Sequence, residues 1–196
     1  MPKGARRTRP ELKELLMLLF LNFGGPIGRY RLKEMLGLSD REGVVKRMLS
    51  DLQRSGYVSS GRPGSKLTVK GEKFLKQRLN AYSIADVKDL SLQPLETGPT
   101  SFIVHLRGRA EAIISGMNER DAAVRAGALG ATVLTFKNGM LSVPTVYHNL
   151  SSKYPDLAKR IYESFSLADG DALIVASAEN RWRALEGVLA AAKALT

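Results

Sequence analysis

Between Ser39 and Val69 the sequence admits few folds. Ser39 stands three residues before Glu42, the spacing of a capping box, which starts a helix by satisfying two backbone N–H groups reciprocally. Val45, Met48, Leu49 and Leu52 recur at helical period and give that helix one buried face. Gly56 stops it. Tyr57 and Val58 then open a strand, Gly61-Arg62-Pro63-Gly64 carries turn chemistry, and Leu67 to Val69 returns as a second strand, so the pair reads as a hairpin.

The flanks extend this pattern. A helix is expected from about Pro10, a favourable early helical residue, with Leu12, Leu15, Leu16, Leu19 and Phe23 as one inward stripe. A second short helix covers about Tyr30 to Leu36 and closes at Gly37. A fourth follows the hairpin from about Gly71 to Ala81, with Phe74, Leu75 and Leu79 inward. Residues 1–82 therefore form one module, 83–100 a linker containing Pro94, Gly98 and Pro99, and 101–196 a second module.

Charge divides the chain in the same way. Residues 1–82 carry 18 Lys+Arg against 7 Asp+Glu, whereas residues 83–196 carry 12 of each. The whole net charge of +11 thus sits on the first module. A basic module joined to a neutral one points to polyanion binding by the first and a different task for the second. No cysteine is present and only His105 and His148 could supply imidazole, which excludes disulfides, thiolate zinc sites and cysteine nucleophiles. No run reaches the roughly 18 apolar residues of a membrane span. No secretory leader is expected after the basic Met1–Arg9 segment, so a cytoplasmic location is expected.

Val44-Val45-Lys46-Arg47-Met48-Leu49-Ser50-Asp51-Leu52-Gln53-Arg54-Ser55-Gly56-Tyr57-Val58 resembles the recognition helix and wing entry of bacterial and archaeal winged helix-turn-helix regulators. Leu67-Thr68-Val69-Lys70-Gly71 resembles the segment after the wing in those families, and the likeness covers about residues 10–81. It implies a winged helix that binds DNA. On physical grounds an α-helix fits the major groove, where each base pair shows a distinct donor and acceptor pattern. Arg41, Lys46 and Arg47 fall on or near the exposed face of the third helix. Tyr30 and Arg31 suit phosphate contacts. Arg62 and Lys66 bracket the wing tip, where arginine can enter a narrow minor groove. Arg6 and Arg7 belong to a basic arm that would follow the backbone.

In the second module Phe102–Leu106, Ala131–Lys137, Met140–Val143 and Asp171–Ser177 read as strands, with Asn138-Gly139 as a hairpin turn. Arg109–Gly116, Glu119–Ala128, Leu150–Phe165 and Glu179–Leu195 read as helices. That order fits a small α/β sandwich of the ferredoxin-like, split βαβ kind, making the chain α+β overall. The helix start at Ser177-Ala178-Glu179-Asn180-Arg181 offers backbone N–H groups to an anion, although a simple helix cap by Ser177 or Asn180 is the more ordinary role of those residues. Asp121 and Arg125 share a helix face, and with Arg107 or Arg109 in a cleft they would hold a carboxylate or phosphate. Arg107, Arg125, Ser177 and Asn180 are therefore the candidate ligand residues for a small anionic effector. His105 is expected to be structural. A Ser142–His148–Asp156 set has no distinguishing spacing, and no Walker loop, dinucleotide fingerprint or hard-metal carboxylate cluster is present. No cofactor, metal or catalytic residue is expected.

Arg120-Asp121-Ala122-Ala123-Val124-Arg125-Ala126-Gly127-Ala128, with Gly130-Ala131-Thr132 and Ser177-Ala178-Glu179, makes the whole chain similar to archaeal winged-helix proteins with a carboxy-terminal α/β domain of uncharacterised function. The resemblance implies a transcription regulator acting on double-stranded DNA. A homodimer is expected, because two copies lengthen the site that is read. Val188, Leu189 and Leu195 would pack either at a subunit interface or within their own domain. The competing readings are an enzyme with an amino-terminal winged helix, of the small-molecule kinase or ligase type, and an interaction adaptor docked on nucleic acid.

Overall fold

The structure, a computed structural model, describes residues 10–195. They form two compact units that divide between Arg78 and Leu79. Among the described residues, eight α-helices and two antiparallel sheets make a mixed α/β structure. No helix among the described residues is long and apolar enough to cross a membrane.

The first unit runs α1 (Pro10–Gly24), α2 (Arg29–Met35), α3 (Glu42–Arg54), β1 (Val58–Gly61), β2 (Gly64–Leu67) and most of α4 (Val69–Asn80). In α1 burial is not confined to the expected stripe, since Met17, Leu18, Phe20 and Leu21 are buried along with Leu15, Leu16 and Leu19. The capping box before α3 does not form. Arg41 is the N-cap and makes no side-chain cap bond. A turn closed by the Arg41 N–H on the Leu38 carbonyl uses up the Ser39–Asp40 stretch, and Glu42 reaches instead to Arg29 at 3.2 Å. Val45, Leu49 and Leu52 face inward as expected. The second strand begins three residues earlier than expected, because Gly61 pairs directly with Gly64 and leaves only Arg62 and Pro63 as the loop.

The second unit is a five-stranded antiparallel sheet: β3 (Ile84–Lys88), β4 (Thr100–Leu106), β5 (Gly130–Lys137), β6 (Met140–Ser142) and β7 (Ala172–Ala178), in the order β3-β4-β7-β5-β6. Residues 83–100, read as a linker, contain β3, which forms one edge of the sheet by pairing with β4. The strand order also departs from the ferredoxin-like arrangement. β4 and β5 do flank an antiparallel strand, as in a split βαβ unit, but the last strand sits between them rather than the third. The reason lies in β7, Ala-Leu-Ile-Val-Ala-Ser-Ala, every residue of which is buried. A strand with no polar face is most stable at the centre, where both edges are paired and both faces covered.

α5 (Met117–Arg125) and α8 (Arg181–Lys193) pack on one face of the sheet. On the other, α6 (Leu150–Lys153) and α7 (Pro155–Ser164) close a core of Leu92, Ile103, Leu134, Leu173, Val175, Leu157, Ile161 and Phe165. The helix expected over Leu150–Phe165 is broken in two at Tyr154, because the residue before a proline is driven out of the helical region and Pro155 starts a new helix. Only a single 3₁₀ turn, Ala110–Ala112, forms where a helix was expected over Arg109–Gly116. Val188, Leu189 and Leu195 are buried within the chain, so this face of α8 is a core face and not a subunit surface.

Candidate nucleic-acid interface

Helical geometry divides the exposed surface of α3 into three aspects, because residues seven apart return to nearly the same direction. Lys46 and Gln53 share one aspect, Arg47 and Arg54 the outward one, and Val44 and Asp51 the third; all six are exposed. Gln53 identifies what its aspect faces. Its Nε2 donates to Ser60 Oγ at 2.7 Å, and Ser60 Oγ lies 2.7 Å from Ser65 Oγ on the paired strand. A side-chain relay therefore joins the end of α3 to both strands of the hairpin.

Further contacts fix the hairpin and the chain on either side of it. Ile27 exchanges two backbone hydrogen bonds with Ser65, at 2.8 and 2.9 Å, which adds a single-residue third strand. A Cβ at Gly64 would lie 2.5 Å from the Ile27 carbonyl carbon, and its φ of +125° disfavours any side chain. Beyond the hairpin, Tyr57 stacks on Phe74 at 4.1 Å between ring centres. There Thr68 Oγ1 donates to the Gly56 carbonyl at 2.7 Å and Lys70 Nζ to the Ser55 carbonyl at 2.9 Å. The second of these bonds satisfies a carbonyl that the end of α3 leaves open.

The expected contact residues are distributed as follows. Lys46 and Arg47 are exposed on α3, and Arg62 is exposed at the hairpin tip. None of the three has a carboxylate within ion-pair distance among the described residues, and the same holds for Arg41 and Lys66. Lys66 is exposed but pairs with Ser59, one residue out of phase with the Ser60–Ser65 relay. Alternation along a strand therefore places it on the hairpin face turned away from α3. Tyr30 is 65% exposed, with Arg29 5.6 Å and Lys33 5.3 Å from its ring centre. Arg31 pairs with Glu34 at 3.4 Å, so its charge is partly answered. Arg6 and Arg7 lie outside the described residues. Gln53 and Ser60 were not expected to matter. Their hydrogen bond spans a helix end and a strand, which no sequence periodicity marks.

The four candidate ligand residues of the second unit do not form one site. Ser177 is buried, and its Oγ accepts from the Thr97 N–H at 3.3 Å. Asn180 caps α8 by accepting from the Arg183 N–H at 3.0 Å, so the helix start is filled by its own side chain. Arg107 follows Leu106, which pairs with Ala172, while Ser177 pairs with Ser101 at the far end of the same strands. At about 3.3 Å per residue the two ends stand on the order of 15–20 Å apart. Arg125 is exposed and Asp121 pairs with Arg120 at 3.2 Å rather than with Arg125.

His105 is structural in its surroundings, as expected. Its Nε2 lies 2.7 Å from Asp171 Oδ2, with both residues about 5% exposed or less. Burial acts to raise the Asp171 pKa. The Ala168 and Gly108 N–H groups, together with His105, outweigh it and hold the carboxyl below its usual value.

Residues 97–195 match the family described as a domain of unknown function, DUF4443. The fold is similar to that of a solved hypothetical protein from Pyrococcus horikoshii OT3, with a TM-score of 0.66 at 24% identity over 95% of this chain and 91% of that one. That likeness speaks to the fold alone. No curated protein matches the chain.

Proposed function

This chain belongs to the DUF4443 family, a domain of unknown function, and we propose that it is a DNA-binding transcription regulator whose first unit is a winged helix. One observation carries the reading. Lys46, Arg47 and Arg62 are exposed and have no carboxylate partner among the described residues, and they stand on a helix and a hairpin joined by the Gln53–Ser60–Ser65 relay. Unanswered charge on a rigid scaffold binds phosphates with little ordering cost. A helix in the major groove with an arginine-tipped loop beside it reads bases and groove shape together.

In this reading α3 enters the major groove, with Arg47 toward base edges and Lys46 toward the strand beside the hairpin. Arg62 enters the adjacent minor groove. Tyr30 and Arg31 meet the backbone, as sequence-independent contacts do. Two copies on a two-fold site would double the contacts. An effector, if small and anionic, would act away from Ser177 and Asn180, whose polar groups are already engaged.

The test is selection of bound duplexes from a random library, followed by a salt titration on the selected site. Selection is expected to return a short motif repeated with two-fold symmetry. Lys46 and Arg31 on two copies neutralise four phosphates, which gives a slope of log affinity against log salt of about −4. A flat salt response, or a selected pool with no shared motif, contradicts the proposal.

A further inference from the structure

The third aspect of α3 borders a groove of about 810 Å³ within the first unit, lined by residues of α1, the turn before α3, α3 itself and Arg78 of α4. That volume falls among those of small-molecule sites, about 300–1,000 Å³. Part of its lining is apolar. Val44 is 44% exposed there, beside half-buried Leu38 and Met48. Arg41 and Arg47, three residues to either side of Val44 in the sequence, line the same groove.

The other charges of the groove are answered. Glu14 lies 4.0 Å from Arg78, Asp51 lies 3.5 Å from Arg54, and Lys13 Nζ donates to the Leu36 carbonyl at 2.7 Å. Arg41 and Arg47 have no carboxylate within ion-pair distance among the described residues. A neutral apolar guest would leave both guanidinium forks unused, and a small polar anion would leave Val44 and Met48 wet. We propose that this groove binds a carboxylate carried on an apolar body, with the carboxylate on Arg41 or Arg47 and the body over Val44 and Met48. Guanidinium forks match carboxylates in paired hydrogen bonds.

Arg47 belongs also to the surface assigned to DNA. A carboxylate seated on Arg47 would neutralise it, and on either arginine the ligand places an apolar body beside the face that enters the groove, so ligand and duplex compete. This regulatory step rests on the DNA-binding reading, whereas the ligand site does not.

The experiment uses the full chain with isotope-labelled methionine methyl groups and, as probes, octanoate, acetate and octanol. Octanoate is expected to shift the Met48 methyl signal saturably. Acetate and octanol at the same concentrations are expected not to, and the exposed Met117 and Met140 of the second unit should stay in place. Val44→Glu, at an exposed helical position, should weaken octanoate binding at least tenfold. An unmoved Met48, parallel movement of Met117 and Met140, equal binding of octanol, or full binding by Val44→Glu would each overturn the ligand site. A duplex arm separates the two claims. Octanoate at saturation should raise the duplex Kd about tenfold, and an unchanged Kd overturns the competition. A parent chain that binds octanoate and no duplex overturns the DNA reading alone.

Discussion

Gln53 and Ser60 are joined by a 2.7 Å hydrogen bond, from the amide nitrogen of one to the hydroxyl of the other. The contact ties the last turn of α3 to the first strand of the hairpin, so the angle between the two elements is set by a side chain as well as by the chain connection. An exposed neutral hydrogen bond contributes about 1 kcal/mol or less. Gln53→Ala is therefore expected to leave the denaturation midpoint almost unchanged while duplex affinity falls severalfold. Parallel unfolding and binding titrations check this; unaltered affinity would show that the relay does not position the hairpin for DNA.

Gly64 is set against Ile27 so closely that no side chain fits. Gly64→Ala must either break the Ile27–Ser65 bridge or strain the backbone, at a cost of about 2–3 kcal/mol. Gly61→Ala, three positions away across the same turn, meets only Pro63 Cδ at 3.7 Å and should stay within about 1 kcal/mol of the parent. Denaturant midpoints of the two variants give the comparison, and equal midpoints would refute it.

Asp171 links three parts of the second unit, accepting from the Gly108 N–H at 2.9 Å, the Ala168 N–H at 2.9 Å and His105. Its pKa in the folded chain lies below the usual carboxylate value. The ionised carboxylate thus adds stability that is complete above the ordinary carboxylate pKa and is lost as pH falls through the lower folded value. Asp171→Asn should destabilise the chain by about 1–3 kcal/mol at neutral pH and flatten the acid limb of the stability curve. Thermal unfolding of parent and variant from neutral to acidic pH measures both, and superimposable acid limbs would contradict the assignment.

The legible features of the sequence were those with a local cause. Gly56 stopped α3 as expected, with φ +74°, and Asn138-Gly139 made its turn with both residues at positive φ. Val45, Leu49 and Leu52 marked the inward face of α3 because a helix repeats within a few residues. Non-local features were not legible. The central place of β7 depends on which strand most needs two covered faces, a comparison across the whole sheet. β3 was hidden because Ile84–Lys88 has only Ile84 and Val87 buried and takes its strand form from β4. At the candidate interface the exposed cations could be named from their spacing, but the direction of Lys66 followed from strand register and the partners of Ser177 and Asn180 from distant or capping contacts.

The most direct measurement is the duplex affinity of a Lys46→Ala, Arg47→Ala, Arg62→Ala triple variant beside the parent, on the same selected site and across a salt series. All three residues are exposed, so the variant should unfold at the parent's midpoint within about 1 kcal/mol. The account predicts that specific binding is lost and that the residual salt slope is shallower by about 1 per copy, the share of the Lys46 phosphate contact. A folded triple variant that binds duplex as tightly as the parent, with the same slope, would contradict it.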